Sequence, residues 1–393
     1  MIEKPDGFAR RGPFLHPDYG ARGLLRVPAR IREALAGAFK RVLLVVLDGF
    51  GFDQWERYHE RHPFLKRMTD RGTVSPITTV FPSTTAAAIT TLHTGVPPSR
   101  HGVVEWWLWL DELKEPVETL LWRGVAGDDL EQRRLTPAVL YEGPTFYETL
   151  ARSGVGSTLV LPDLYANSAY SRHFSRGATT VAARSLKSQL GKIRATLAAA
   201  TGPAYVYTHW GSVDKMAHQY GPHSPAHVEA IAEIAAALET ELVGKLEGAW
   251  AEETLLMITA DHGQVLMDLS KTLFVNEDRA LAERFAVPGW GSPRDFFVRA
   301  KPGARDELRA DFERRFAGDA VVTDAIELFG PGERHPRLRQ RAGDFVVLPH
   351  GDRGPWWELR PGVRWELPGM HGSLTPAEML VPLAECRLSE LRP

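Results

Sequence analysis

Residues 42–47 read VLLVVL, and the apolar run stops abruptly at Asp48-Gly49. Six apolar residues without polar alternation fit a strand covered on both faces, and such strands belong to parallel sheets flanked by helices. Similar runs recur at 158–161, 204–207 and 254–258. Helical patterns lie between them. The best covers 226–246, where Val228, Ile231, Ala235, Leu238, Leu242 and Leu246 recur at three- and four-residue spacing. An Ala/Thr-rich helix is predicted over 85–93, closed by Thr94-Gly95. Strands alternating with helices predict an α/β fold with a doubly wound, mostly parallel sheet.

Three segments are expected. Residues 1–40 mix Pro, Gly, Arg and short apolar pieces, and read as an N-terminal arm wrapped on the body. Residues 41–270 and 366–393 form the α/β domain. Residues 271–365 read as a smaller inserted subdomain, opening with a strand and a helix in RDFFVRAKPGARDELRADFERRF and continuing through Pro/Gly/Arg-rich loops. With 44% hydrophobic residues, disorder is excluded. A formal charge of -2 gives no general attraction for a nucleic-acid polymer or an anionic membrane. No apolar run approaches the roughly 18 residues of a membrane span. The first 20 residues lack the apolar stretch of a signal peptide. A lone cysteine, Cys386, excludes an intramolecular disulfide and fits a reducing compartment, so a cytoplasmic location is expected.

In an open α/β sheet, functional groups gather beyond the carboxyl ends of the strands. Asp48 directly follows the first run, Asp261-His262 follows the run at 254–258, and Asp214 and His218 follow AYVYTHW. At i and i+4 on a helix, the last two share a face. Asp and His suit Zn²⁺ or Mn²⁺. Three Asp and two His at one sheet edge are more than a single ion needs, so two ions are the economical reading. A nucleophile is expected in TTVFPSTTAAAITTLHTG, where a helix N-terminus makes an anion site and an ion would activate a hydroxyl. Ser83, Thr84 or Thr85 could equally serve only as the helix cap.

These segments, taken together, resemble the alkaline phosphatase superfamily, and within it the type I phosphodiesterase/nucleotide pyrophosphatase branch. The T-G-x-x-P-x-x-H-G motif matches residues 94–102, D-x-x-x-H-x-x-G-P matches 214–222, D-H-G matches 261–263, and a late G-x-H-G matches 369–372. The resemblance implies that the nucleophile precedes Gly95 by ten positions, at Thr85. It implies one ion held by Asp48, Asp261 and His262 with the Thr85 oxygen, and a second held by Asp214, His218 and His371. His101 matches the motif without a ligand role. His93, His209 and His223 match none and are expected at the surface or behind the ligands. The implied activity is hydrolysis of a small phosphate diester or pyrophosphate with two divalent cofactor ions, most simply Zn²⁺, with Mn²⁺ as the alternative.

Two positions depart from the family pattern. Ala86 stands where nucleotide pyrophosphatases carry an aromatic residue against the base. Trp106 and Trp107 stand where those enzymes place an Asn on a phosphoryl oxygen, and are expected to contact substrate instead. Other readings are weaker. Gly49-x-Gly51 lacks the third Gly of a dinucleotide fingerprint, and Cys386 is at the wrong end for a sulfatase nucleophile. Phosphomonoester or phosphonate hydrolysis by the same site, or a non-catalytic metal-binding relative, are the alternatives.

Overall fold

The computed structural model describes residues 2–360, 364 and 366–393. Its central sheet has seven strands: β1 (Arg41–Leu47), β2 (Thr73–Thr78), β3 (Gly156–Pro162), β4 (Thr179–Ala183), β5 (Ala204–Trp210), β6 (Thr254–Thr259) and β7 (Leu380–Arg387). They lie in the order β2-β7-β6-β1-β5-β3-β4. All run parallel except β7, which is antiparallel to both neighbours. This is the doubly wound, mostly parallel sheet expected. Every residue of β1 and β6 is buried, as continuous apolar runs between two helical layers require.

Register places the functional edge. Leu47 of β1 is level with Trp210 of β5, and Val46 with Thr259 of β6. The three central strands therefore end together, and the chain leaves β1 toward one edge of the sheet and later returns to fill the other. Ligand sites in open α/β sheets sit at such a switch point.

Helix α1 (Thr85–Thr94) starts beside that edge and is buried from Ala86 to Thr94. Three successive alanines let it pack inside, and its threonines bond back to the preceding turn. Thr90, Thr91 and Thr94 donate to the carbonyls of Ala86, Ala87 and Thr90 at 2.6, 2.9 and 2.7 Å. Helix α2 (Ser212–Tyr220) follows β5, and α3 (Pro225–Ala237) follows α2. The predicted helix at 226–246 thus ends as an α-helix at Ala237. A wider turn over Leu238–Leu242 continues it and keeps Leu238 and Leu242 buried.

Within 271–360, Trp290–Ser292, Asp295–Val298, Ala320–Thr323 and Phe345–Pro349 form a second sheet. Its side chains alternate strictly. Phe297, Val346 and Leu348 join the main core, whereas Phe296, Val298, Phe345 and Val347 join a smaller core with Leu308, Phe312 and Phe316. The boundary expected at Trp365 lies outside the described residues. Residues 2–40 run along the body: Leu15 N–H donates to the Leu374 carbonyl at 2.8 Å, and the Tyr19 hydroxyl to that of Leu328 at 2.6 Å.

One buried ion pair ties this second sheet to the edge. Arg294 donates through Nε and Nη2 to the two oxygens of Glu378, both at 2.9 Å, and neither side chain is exposed. Glu378 Oε1 accepts from Ser373 N–H at 3.1 Å, and its carbonyl accepts from Gly263 N–H at 2.9 Å. Glu378 thus reaches both loops, its side chain holding Ser373, two residues after His371, and its main chain holding Gly263, next to His262.

Candidate metal centre

The turn after β1 is shaped by what lies against it. Gly49 has φ +70°, and a Cβ there would stand 3.0 Å from Asp214 Cβ. Glycine is needed for the turn and for the approach of α2. Asp48 emerges beside Asp261, whose Oδ1 accepts from the N–H groups of Gly49 and His262 at 3.0 Å each.

Asp48, Asp261, His262 and Thr85 converge. His262 Nε2 is 3.5 Å from Asp48 Oδ1, 3.6 Å from Asp261 Oδ2 and 3.1 Å from Thr85 Oγ1. Thr85 Oγ1 is 3.5 Å from Asp48 Oδ1. Two ligand atoms on one tetrahedral zinc lie about 3.3 Å apart. The spacing therefore fits such an ion.

The second set adjoins the first. His218 Nε2 is 3.2 Å from Asp214 Oδ1, and His371 Nε2 is 3.8 Å from the same oxygen. The rings of His262 and His371 stack with centroids 3.5 Å apart. All three imidazoles are oriented alike. Nδ1 of His218, His262 and His371 faces the carbonyls of Gly369, Gly263 and Ser83 at 2.6, 3.1 and 2.9 Å. A ring that donates through Nδ1 presents a lone pair at Nε2, the arrangement of metal-ligating histidines. Gly369 makes the His218 contact possible, since a Cβ there would lie 2.1 Å from the Ala217 carbonyl.

Electrostatics call for cations. Burial, then the Asp261 and Asp214 carboxylates, push Asp48 up to about 7. Burial and Asp261 push Asp214 up to about 8. Burial alone would also raise Asp261, but His262 and His209 outweigh it and hold that carboxyl below the usual range. Burial depresses His371 and His218, keeping both neutral. Asp261 Oδ2 is buried without a hydrogen-bond partner. Among the described residues, no Arg or Lys lies within ion-pair distance of Asp48, Asp214 or Asp261. Three clustered carboxylates and three lone-pair imidazoles fit divalent ions.

The hydroxyls of the nucleophile segment divide the work. Thr84 is the cap of α1, its Oγ1 accepting from Ala87 N–H at 3.4 Å. Ser83 holds the His371 loop, with its Oγ donating to the Ser373 carbonyl at 2.7 Å and accepting from Gly372 N–H at 3.1 Å. Thr85 carries neither duty and faces the carboxylates.

Residues outside the motifs also meet here. His209 is buried with Nε2 3.3 Å from Asp48 Oδ2, so it lies among the ligands and not at the surface. Burial would lower its pKa, but Asp261 and Asp48 outweigh burial and raise it to about 10. Gln264 donates to Asp214 Oδ1. Half-buried Tyr165, just past β3, has its hydroxyl pushed up to about 12 by burial and then by Asp48 and Asp214. A polar residue inside an apolar strand run was the available signal for His209; nothing marked Tyr165. His101 is structural, with Nε2 3.0 Å from Thr91 Oγ1 and Nδ1 accepting from Val103 N–H. His93 is buried against Tyr147, and His223 pairs with Asp53 and Tyr58. Val104, whose carbonyl faces Thr84 Oγ1 at 3.5 Å, brings the next residues near α1. Trp106 is half-buried there. Trp107 is buried in the strand Trp107–Leu110, with the Arg360 guanidinium 5.9 Å from its ring.

A pH dependence follows. Without ions, Asp48 and Asp214 have folded pKa values above the unfolded value near 3.9. Their contribution to stability is therefore present in full below about pH 4 and is lost as pH rises through 7–8. Ion binding needs both carboxylates ionised, so affinity climbs over the same range. The rise in Tm on adding Zn²⁺ to chelator-stripped protein should be larger at pH 8.5 than at pH 6. Equal shifts at the two values would contradict this electrostatic account.

The comparisons with known proteins agree with the geometry. The family description "Type I phosphodiesterase / nucleotide pyrophosphatase" matches residues 42–360. No characterised protein matches significantly by sequence. Among solved structures, murine ectonucleotide pyrophosphatase/phosphodiesterase 5 is similar at TM-score 0.65 and 21% identity, covering 87% of each chain. The human protein of that name is similar at TM-score 0.66 and 19% identity, over 88% of this chain and 87% of that one. Phosphonoacetate hydrolase from Sinorhizobium meliloti, in complex with phosphonoformate, is similar at 0.60 and 20%, over 87% and 89%. No helix among the described residues is long and apolar enough to cross a membrane. The match over most of the chain and the shared fold make this protein a member of the type I phosphodiesterase/nucleotide pyrophosphatase family, a hydrolase of the alkaline phosphatase superfamily.

Proposed function

We propose that this protein hydrolyses small phosphate diesters or pyrophosphates with Thr85 as nucleophile and two divalent ions, most simply Zn²⁺, otherwise Mn²⁺. The observation that carries the reading is the Thr85 hydroxyl, 3.1 Å from His262 Nε2 and 3.5 Å from Asp48, while Thr84 takes the capping role. Asp48, Asp261 and His262 would hold the first ion, and Asp214, His218 and His371 the second. A threonine-to-alanine variant of the murine relative is described as inactive and in complex with AMP, which supports a threonine nucleophile here.

When bound, the ions supply positive charge for the ionised hydroxyl and the departing ester oxygen. Thr85 Oγ1, its proton lost, attacks phosphorus in line. The new P–O bond to Thr85 forms as the P–O bond to the leaving alcohol breaks. Water then attacks the phosphothreonine ester, the P–Oγ1 bond breaks, and Thr85 recovers a proton. Of the first-turn N–H groups of α1, Ala87 donates to Thr84 Oγ1 and Ala88 to the Thr84 carbonyl, which leaves those of Thr85 and Ala86 for an incoming anion. Trp106 and Trp107 would wall the leaving-group side.

Diesters are favoured over monoesters because, among the described residues, no Arg or Lys pairs with the carboxylate cluster. A monoester dianion carries one more charge and gains most from such donors. Two buried arginines of the 271–360 region serve elsewhere, Arg294 on Glu378 and Arg341 on the carbonyls of Gly102, Val139 and Leu140. The single cysteine, buried and free, fits a cytoplasmic setting. Phosphonate hydrolysis rests on fold likeness alone.

Elemental analysis of protein purified without chelator should approach two transition metals per chain. Chelation should remove them together with diesterase activity, and added metal should restore both. Undiminished turnover by metal-free protein would overturn the proposal.

A further inference from the structure

His209 is the one histidine of the buried centre that no motif accounts for. It is the penultimate residue of β5, level with Val46 on β1. Its Nε2 lies 3.3 Å from Asp48 Oδ2 and 3.9 Å from Asp261 Oδ2.

Its tethering differs from that of His218, His262 and His371. Those three turn Nδ1 to a backbone carbonyl and leave Nε2 as a lone pair. Among the described residues no carbonyl holds the His209 ring, and its Nε2 is buried without a hydrogen-bond partner, with the carboxylate oxygens of Asp48 and Asp261 beside it. An imidazole nitrogen facing two carboxylates is best placed as a donor. Asp48 meanwhile uses its oxygens in two directions. Oδ1 faces Thr85 Oγ1 and His262 Nε2, both at 3.5 Å, and Oδ2 faces His209.

We propose that His209 is a positioning residue of the first ion site: its Nε2–H donates to Asp48 Oδ2 and leaves Oδ1 as the single oxygen offered to an ion beside Thr85. Asp261 Oδ2, buried without a hydrogen-bond partner, lies 3.9 Å away, beyond hydrogen-bond reach of the same nitrogen. The inference rests on the two-ion reading above and adds to it a residue that orients a ligand without being one.

The test uses Co²⁺ as probe, with affinity from chelator competition and the donor set from the visible spectrum of the saturated protein. His209→Phe keeps a flat ring without the donor, and His209→Gln keeps an N–H donor. His209→Phe should weaken one of the two sites about 10–100-fold, the usual cost of losing such an outer partner, and His209→Gln should recover most of that loss. The cobalt spectrum of the saturated Phe variant should match that of the unaltered protein. Unchanged affinity in His209→Phe would overturn the inference, and so would a spectrum with one nitrogen donor fewer, which would make His209 a direct ligand. Should the Phe variant not fold, His209→Asn, whose shorter amide falls back from Asp48 Oδ2, should show the same weakening. Asp48→Asn is measured alongside. If it leaves both ions bound as tightly as before, Asp48 is not a ligand of the first site, and if the unaltered protein binds fewer than two ions the two-ion reading itself fails, whatever His209 does.

Discussion

Thr85→Ala should lower diesterase turnover by roughly 10³–10⁶-fold, the range expected when an attacking oxygen is deleted. The fold and ion content should stay near normal, because Asp48, Asp261 and His262 remain in place. Thr84→Ala should do the opposite, costing about 1 kcal/mol of stability as a lost helix cap and little turnover. The structure separates these roles by one position: Thr84 Oγ1 accepts from Ala87 N–H, whereas Thr85 Oγ1 faces the carboxylates. Parallel kinetics and denaturant melts on the two variants decide the matter. Swapped phenotypes would move the nucleophile to Thr84.

The Arg294–Glu378 pair should produce the largest stability effect. Both side chains are fully buried, and each satisfies the other at two points. Glu378→Gln leaves a buried guanidinium without its counter-charge, which costs about 3–5 kcal/mol. That is a large share of the roughly 5–15 kcal/mol typical of a folded domain. The loss should reach the metal centre as well, because the Glu378 carboxylate holds the N–H of Ser373, two residues after His371. Replacing both partners by Met removes the unpaired charge and should cost less than either single change. A denaturation midpoint unmoved by Glu378→Gln would show that the pair contributes little.

How far the sequence revealed this architecture depended on what each segment packs against. β1, β5 and β6 are covered on both faces, so their apolar runs named them directly. β2 and β7 carry Pro76 and Pro382, which stand opposite each other in the ladder and break the usual strand pattern. Proline is tolerated there because β2 is the outermost strand. The helical spacing from Val228 to Leu246 continued past the end of α3 because a wide turn buries Leu238 and Leu242 in much the same rhythm.

The candidate site was legible where chemistry and position coincided. Asp48, Asp214, His218, Asp261 and His262 each follow a strand end, and the structure gathers all of them. His371 arrives from a loop with no strand run of its own, and only the G-x-H-G motif marked it. His209 was left between the surface and a place behind the ligands, because strand register, not spacing to a motif, sets it against Asp48. Tyr165 enters through the short turn after β3, whose end the pattern located but whose direction it did not. In the second sheet, the alternation of Phe296 with Phe297 and of Val346 with Val347 distributes side chains between two cores, a partition that period two permits but does not announce.

The most direct test of the central claim is the ratio of kcat/KM for bis-p-nitrophenyl phosphate to that for p-nitrophenyl phosphate, measured on one metal-loaded preparation and repeated after chelation. A cation-poor, two-ion centre built around Thr85 predicts a ratio above one, with both activities lost on chelation and regained with metal. A ratio well below one would contradict the diesterase assignment and make this site a monoesterase.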